Sequence, residues 1–269
     1  MKKYLLYTIV VLGIGSMLTT SCLEENLGVG NIKQEMQGGE GWNKNKTIEI
    51  YYLTNLSDAV VGAVPGVIDY FNGLGNACSL GVIDRVDVLG NNNIATEIAF
   101  KTSRFSSYAL NKVYMNGTDI ATQGSLLLFN HKINSEEGFK ITNDCYIKYI
   151  NVMTKTTTEN PIDILVPFST VRFSNKEQIA AASTAFTTLN DNQHAFIMVG
   201  TVKKDLVEDL KNVAEGLEGC AFTEVAKNPA ADYVVFMMGR KSWVLRETTD
   251  ALVSGDLNAY RLSIEAGVE

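Results

Sequence analysis

The sequence predicts an α+β fold in which two packed β-sheets are flanked by helices. Short runs rich in β-branched and aromatic residues recur along the chain, which is the composition of strands. A few segments with apolar residues at helical spacing lie between those runs, and strands interleaved with few helices suit stacked sheets covered from outside. Residues 46–269, about 220 in all, contain no second polar break, so one domain with a sizeable core is expected there. No repeat at solenoid periods occurs.

Met1-Lys2-Lys3 is a basic start, residues 4–17 are apolar, and Leu18-Thr19-Thr20-Ser21 brings small residues up to Cys22. That is the layout of a secretory signal, and it resembles the lipobox of bacterial lipoproteins, with Thr19 where the lipobox usually carries Leu. The apolar run is shorter than the roughly 18 residues of a spanning helix. The resemblance implies that residues 1–21 are a signal peptide and that Cys22 is lipidated. The chain would then be an outer-membrane lipoprotein on the surface or periplasmic face. Glu24-Glu25 resemble the acidic tag that favours the surface. Residues 22–45, rich in Gly, Asn, Gln and Lys from Asn26 onward, read as a flexible tether.

In the domain, residues 47–53 alternate and then turn fully apolar, as in a strand that becomes buried. Residues 65–74 suit a short helix with Pro65 in its first turn. Residues 78–83 form a short apolar run ending at Asp84-Arg85. Asn91-Asn92-Asn93 can cap a helix from Ile94 to about Ser103. Residues 108–115 and 125–129 read as strands, residues 139–153 as a long β-rich stretch broken at Asn143-Asp144, and residues 162–166 as a buried strand. Ile179, Ala182, Phe186 and Leu189 stripe a helix over 175–189. Residues 194–199 read as a strand, and Leu206, Leu210, Val213 and Leu217 stripe a helix over 205–217. Residues 233–238 and 243–245 flank Gly239-Arg240-Lys241-Ser242, a hairpin pattern. A third short run follows Ser254-Gly255-Asp256.

The net charge is −7 and no basic cluster with interleaved aromatics occurs, so nucleic acid is not indicated as a partner. Cys78, Cys145 and Cys220 have neither disulfide-framework nor zinc spacing and read as buried thiols, with one bridge as the alternative. Nucleophile elbow, Walker loop, HExxH and dinucleotide fingerprint are all missing. Glu136-Glu137 reads as a polar loop pair. Arg240-Lys241 beside Trp243 reads as a charged tip next to a core tryptophan.

The order of short motifs resembles the endonuclease/exonuclease/phosphatase superfamily over 46–269, which implies a four-layer α/β/β/α sandwich of two mixed sheets with flanking helices. Another two-sheet β-rich sandwich is the alternative. That family hydrolyses phosphoesters with Mg²⁺ and a histidine. Tyr52-Leu53-Thr54-Asn55 fits its opening strand, where the Asn helps position metal and water. The next motif, normally ending Leu-Gln-Glu-Val with Glu as metal ligand, reads Ile83-Asp84-Arg85-Val86. It puts Arg85 at the ligand position, where a cation is repelled. Asp84 would substitute only with a one-residue slip, which turns a strand residue to the other face.

The Thr-His-Leu motif falls at Val166-Pro167-Phe168-Ser169 without a histidine. The Gly-Asp-Phe-Asn motif falls at Gly200-Thr201-Val202-Lys203 without its Asp or Asn. The closing Ser-Asp-His falls at Ser254-Gly255-Asp256-Leu257, where Asp256 persists and Leu257 replaces the base. Gly255-Asp256-Leu257-Asn258 mimics Gly-Asp-Phe-Asn, but too few residues follow it for the remaining motifs. The chain has two histidines, His131 and His194, each read as structural.

These departures imply a phosphoesterase- or nuclease-like domain that has lost hydrolysis, needs no cofactor, and serves as a binding or accessory module for an unidentified ligand or protein. Asn55 and Asp256 are then vestigial. The alternative is an active Mg²⁺-dependent phosphoesterase or nuclease carried by Asn55, Asp84 and Asp256, with His194 or His131 as base.

Overall fold

The structure, a computed structural model, describes residues 46–54, 63–89, 93–131, 133–155, 157, 163–191, 196–226, 232–255 and 257–266. The signal, Cys22 and the tether, together with Asn55, His194 and Asp256, lie outside the described residues.

The described elements are β1 (Lys46–Thr54), α1 (Val64–Leu74), β2 (Leu80–Leu89), α2 (Ile94–Lys101), β3 (Phe105–Asn116), β4 (Asp119–Phe129), β5 (Ile133–Thr142) and β6 (Cys145–Lys155). They continue with β7 (Asp163–Phe173), α3 (Lys176–Asp191), β8 (Ile197–Lys203), α4 (Val207–Glu215), β9 (Cys220–Ala226), β10 (Tyr233–Arg240), β11 (Trp243–Ser254) and β12 (Leu257–Ala266). Two six-stranded sheets result, in the orders β11-β12-β1-β2-β4-β3 and β5-β6-β7-β8-β10-β9. Each sheet is mixed, with a parallel central pair, β1–β2 in one and β7–β8 in the other. Such pairs need a crossover, and α1 and α3 supply it.

The sheets stack on a shared apolar core. Ile48, Ile50 and Tyr52 of β1 meet Ile150, Phe168, Ile197 and Val235 of the other sheet. Tyr51 and Leu53 point the other way and pack with Val67 and Phe71 of α1 and Ile98 of α2. Helices α3 and α4 cover the second sheet through Ile179, Phe186 and Leu210 against Val171, Phe173 and Phe236. The order is therefore helices, sheet, sheet, helices. Strand β1 is buried on both faces, which explains why its alternation fades into a fully apolar run.

Local signals set the helix starts. Asn93 Oδ1 accepts from the Thr96 amide at 3.0 Å and caps α2. Before α3, the Gln178 amide donates to the N-cap Asn175 Oδ1 at 2.9 Å, and Gln178 Oε1 accepts from the Ser174 amide at 2.6 Å. Residues 139–153 divide at the Asn143-Asp144 turn into the antiparallel pair β5–β6. Cys78, Cys145 and Cys220 are free, buried thiols. Among the described residues no helix is long and apolar enough to cross a membrane.

Three sequence expectations are corrected. The runs at 233–238 and 243–245 form no hairpin: β10 pairs with β8 and β9, whereas β11 pairs with β12 in the other sheet. Both edges of β10 are taken, so Lys241-Ser242 carries the chain between sheets. The strand read over 162–166 extends to Phe173, with Arg172 buried in it by a partner on another strand. Strand β9 went unread because it is a half-exposed strand at the sheet edge, paired on one side only.

Candidate functional site

The apolar core between the sheets gives way at one end to a polar cluster. Each sheet contributes the inward-facing positions of its central strands. In β2, Leu80 and Val82 face the opposite sheet, and Asp84 continues that series. The β2–β4 register then jumps, with Ile83 opposite Leu126 but Val86 opposite Gly124, so Asp84 and Arg85 together face one residue. Arg85 sits in this bulge at φ 59°, a left-handed backbone that non-glycine residues adopt at a cost of about 1–3 kcal/mol. A second bulge lies beside it: Leu110 pairs with Gly124 and Lys112 with Gln123, leaving Asn111 extra. Bulges of this kind re-aim side chains and gather next to active sites. They determine which carboxylate enters the site: Asp84 faces inward without turning to another face, and Arg85 is absorbed by the bulge.

Asp84 is fully buried. Its Oδ2 accepts from Arg172 Nη1 of β7 at 2.7 Å, from Thr201 Oγ1 of β8 at 3.1 Å and from Thr54 Oγ1 of β1 at 3.4 Å, while Oδ1 accepts from Ser125 Oγ of β4 at 3.2 Å. Arg172, only 8% exposed, also donates to Thr201 Oγ1 at 3.2 Å and lies 3.7 Å from the centroid of the Tyr233 ring. The guanidinium is thus fixed by a carboxylate, a hydroxyl and an aromatic face. Tyr52 sits beneath the pair, its phenol pushed well above its usual pKa by burial and by the Asp84 charge. A second inward carboxylate, Asp87, accepts at Oδ1 from Tyr114 Oη and Gln123 Nε2, both at 3.0 Å.

Beside this cluster opens a cleft of about 330 Å³ whose lining includes Arg85, Asn111, Lys112, Gln123, Arg172 and Tyr233. The mouth of the cleft carries Asp144, whose carboxyl is held below its usual pKa by hydrogen bonds from Thr142 and Gln178.

Paired in this way, Asp84 does not fit a divalent cation. A carboxylate offers about four acceptor sites, and on Asp84 the guanidinium and two hydroxyls crowd Oδ2 while a third hydroxyl takes part of Oδ1. A fixed positive charge 2.7 Å from the oxygen opposes a second cation there. Among the described residues no three His, Cys, Asp or Glu side chains converge on one point. His131 is remote: Ser125 to Phe129 of β4 already spans about 13 Å, and His131 follows beyond Asn130, which is tied to the Cys78 carbonyl at 2.9 Å.

Two motif placements shift in the structure. Val166 and Phe168 lie in the apolar inter-sheet core, and Arg172 is the β7 residue that reaches the site. Leu257 packs outward with Val253 against the helix layer, so the residue that β12 presents beside Thr54 is its partner Asn258. Thr201, read as the loss of an aspartate, is a working member of the Asp84–Arg172 network. Sequence reasoning missed Arg172, although a lone cation inside the β-rich run Ser169-Thr170-Val171-Arg172-Phe173 signals a buried partner. Asn111 gave no signal, because its bulge exists only through pairing with β4. Arg240 donates to the Asn190 carbonyl at 2.8 Å and Trp243 lies in the core, so that tip is structural. Glu136 pairs with Lys148 at 3.0 Å and Ser107 at 2.7 Å, likewise a structural role.

No family model matches the chain, and no curated protein matches it. Solved structures do. An endonuclease/exonuclease/phosphatase family protein from Leptotrichia buccalis superposes with a TM-score of 0.54 at 11% identity, over 81% of this chain and 99% of its own. One from Bacteroides thetaiotaomicron gives 0.53 at 5% identity, over 84% and 100%. ANGEL2, a 2′,3′-cyclic phosphatase solved with adenosine-2′,3′-vanadate, gives 0.54 at 6% identity, over 85% and 99%. With two mixed six-stranded sheets face to face and helices outside them, the chain has the fold of the endonuclease/exonuclease/phosphatase proteins.

Proposed function

We propose that this protein is a lipid-anchored component of the cell envelope whose phosphoesterase- and nuclease-like domain serves as a binding or accessory module and does not hydrolyse phosphoesters. One observation carries the reading: the buried Asp84–Arg172 ion pair, closed by Thr54, Ser125 and Thr201, at the cleft end of the sheets. Phosphoester hydrolysis on this fold calls for carboxylates open to a metal and a base matched to neutral pH. Here Asp84, the deepest of the inward carboxylates, is neutralised from within, and His131 lies at the far end of β4. Fold alone does not carry activity. The lipobox-like stretch at Cys22 supports anchoring to the outer membrane.

The test is hydrolysis of phosphodiester and phosphomonoester substrates by the full chain with Mg²⁺ or Mn²⁺, beside Asn55→Ala and Asp256→Ala. Turnover no greater than that of the two variants is expected. Metal-dependent turnover abolished by both substitutions would overturn the reading. For the anchor, Cys22→Ala should move the protein from the membrane to the soluble fraction, and retention in the membrane would refute lipidation at that residue.

A further inference from the structure

We infer that the cleft beside Asp84 and Arg172 is a metal-independent receptor for a small oxyanion, gripped by Arg172 and Asn111. The inference deepens the binding-module reading and rests on it.

The first observation is the state of Arg172. Its Nη1 is committed to Asp84 and Thr201. Among the described residues, Nε and Nη2 take no partner, and Arg172 lines the cleft. Nε and Nη2 form the side edge of a guanidinium, with two parallel N–H bonds that match two oxygens of a carboxylate or phosphate. The same chain uses that edge elsewhere: Arg261 donates from Nε and Nη2 to the two carboxylate oxygens of Glu49, at 2.7 and 3.2 Å. In Arg172 the edge is held ready, because Asp84, Thr201 and the Tyr233 ring fix the group before any ligand arrives.

The second observation is independent. Asn111 is 6% exposed, lines the same cleft, and its Nδ2 is buried without a hydrogen-bond partner. An unpaired buried donor is unfavourable by about 1–3 kcal/mol unless something accepts from it. The β3 bulge places this side chain toward the facing sheet, next to Gln123.

Charge agrees with both. Arg85 and Lys112 line the cleft beside Arg172, which is paired with Asp84 behind it, and Asp144 is the one carboxylate among these lining residues. Cationic side chains lining a cleft attract anions to it. The shared ligand chemistry is an oxyanion on a small molecule, either a phosphate or a carboxylate.

The experiment is calorimetric titration of the full chain with inorganic phosphate and, separately, glucuronate, each in EDTA and then in Mg²⁺. The expected result is a Kd of about 1 mM or tighter for one of the two, unchanged by Mg²⁺ and weaker at higher salt. Asn111→Ala should weaken binding about tenfold or more without lowering the denaturation midpoint, and Asn111→Asp should abolish it. No binding of either anion overturns the inference, as does binding that ignores both Asn111 variants. If the hydrolysis assay also stays silent, such a failure leaves the binding-module reading standing. Binding that requires Mg²⁺ overturns the inference, and turnover of a phosphoester overturns both.

Discussion

Replacing Arg172 by methionine removes the charge while keeping most of the apolar stem, so the loss reports the ion pair more than packing. The variant leaves the Asp84 carboxylate, 0% exposed, with three hydroxyl partners and no counter-charge. Breaking one side of a buried pair costs about 3–5 kcal/mol, and the lost stacking on Tyr233 accounts for about 1 kcal/mol of that range. For a domain of this size, with total stability of about 5–15 kcal/mol, that is at least about a fifth of the margin. Urea denaturation followed by the fluorescence of core Trp243 measures it: with m of about 3 kcal/mol/M, the midpoint falls by roughly 1–1.7 M. Adding Asp84→Asn should restore much of the loss, because the neutral amide no longer needs the guanidinium. The double-mutant cycle should give a coupling of about 2 kcal/mol or more. A loss under about 1 kcal/mol, or a coupling near zero, would refute the claim that Asp84 and Arg172 stabilise each other inside the sandwich.

Thiol titration separates the anchored from the unanchored chain: Cys78, Cys145 and Cys220 are buried, and burial pushes the first two up to about 12. The native membrane-derived protein should therefore show no reactive thiol and release three on unfolding, whereas a fourth would show that Cys22 is unmodified. Gly200→Ala should cost about 1–3 kcal/mol, since a Cβ there runs into the Val171 carbonyl between β7 and β8, and an unshifted melting temperature would contradict that packing. Glu136 is raised by burial but lowered further by Ser107 and Lys148, so its folded pKa lies below its ordinary value. Its contribution is present above about pH 4.5 and fades as pH falls through the lowered folded value. Glu136→Gln should accordingly flatten the acid limb of the stability curve slightly, and an unchanged limb would rule out the linkage.

Read alone, the sequence determined most of the elements and the layering. Period and capping are local properties, and Asn93 and the apolar stripes of α3 and α4 act through residues within a few positions. The order of short motifs was enough to imply the sandwich, because the strands and crossover helices follow one another along the chain. Tertiary structure alone decided the partners. Whether Tyr233–Arg240 pairs with the run after it depends on which strand edges are already occupied, and β8 and β9 occupy both. The motif frame placed Arg85 at the ligand position, but the bulge that admits Asp84 instead is a property of the β2–β4 register. Arg172 lies 88 residues from Asp84, and no local pattern joins them. Their contact forms because two inward-facing strand positions from different sheets meet where the apolar core ends, and a charge buried there is stable only when the other is present.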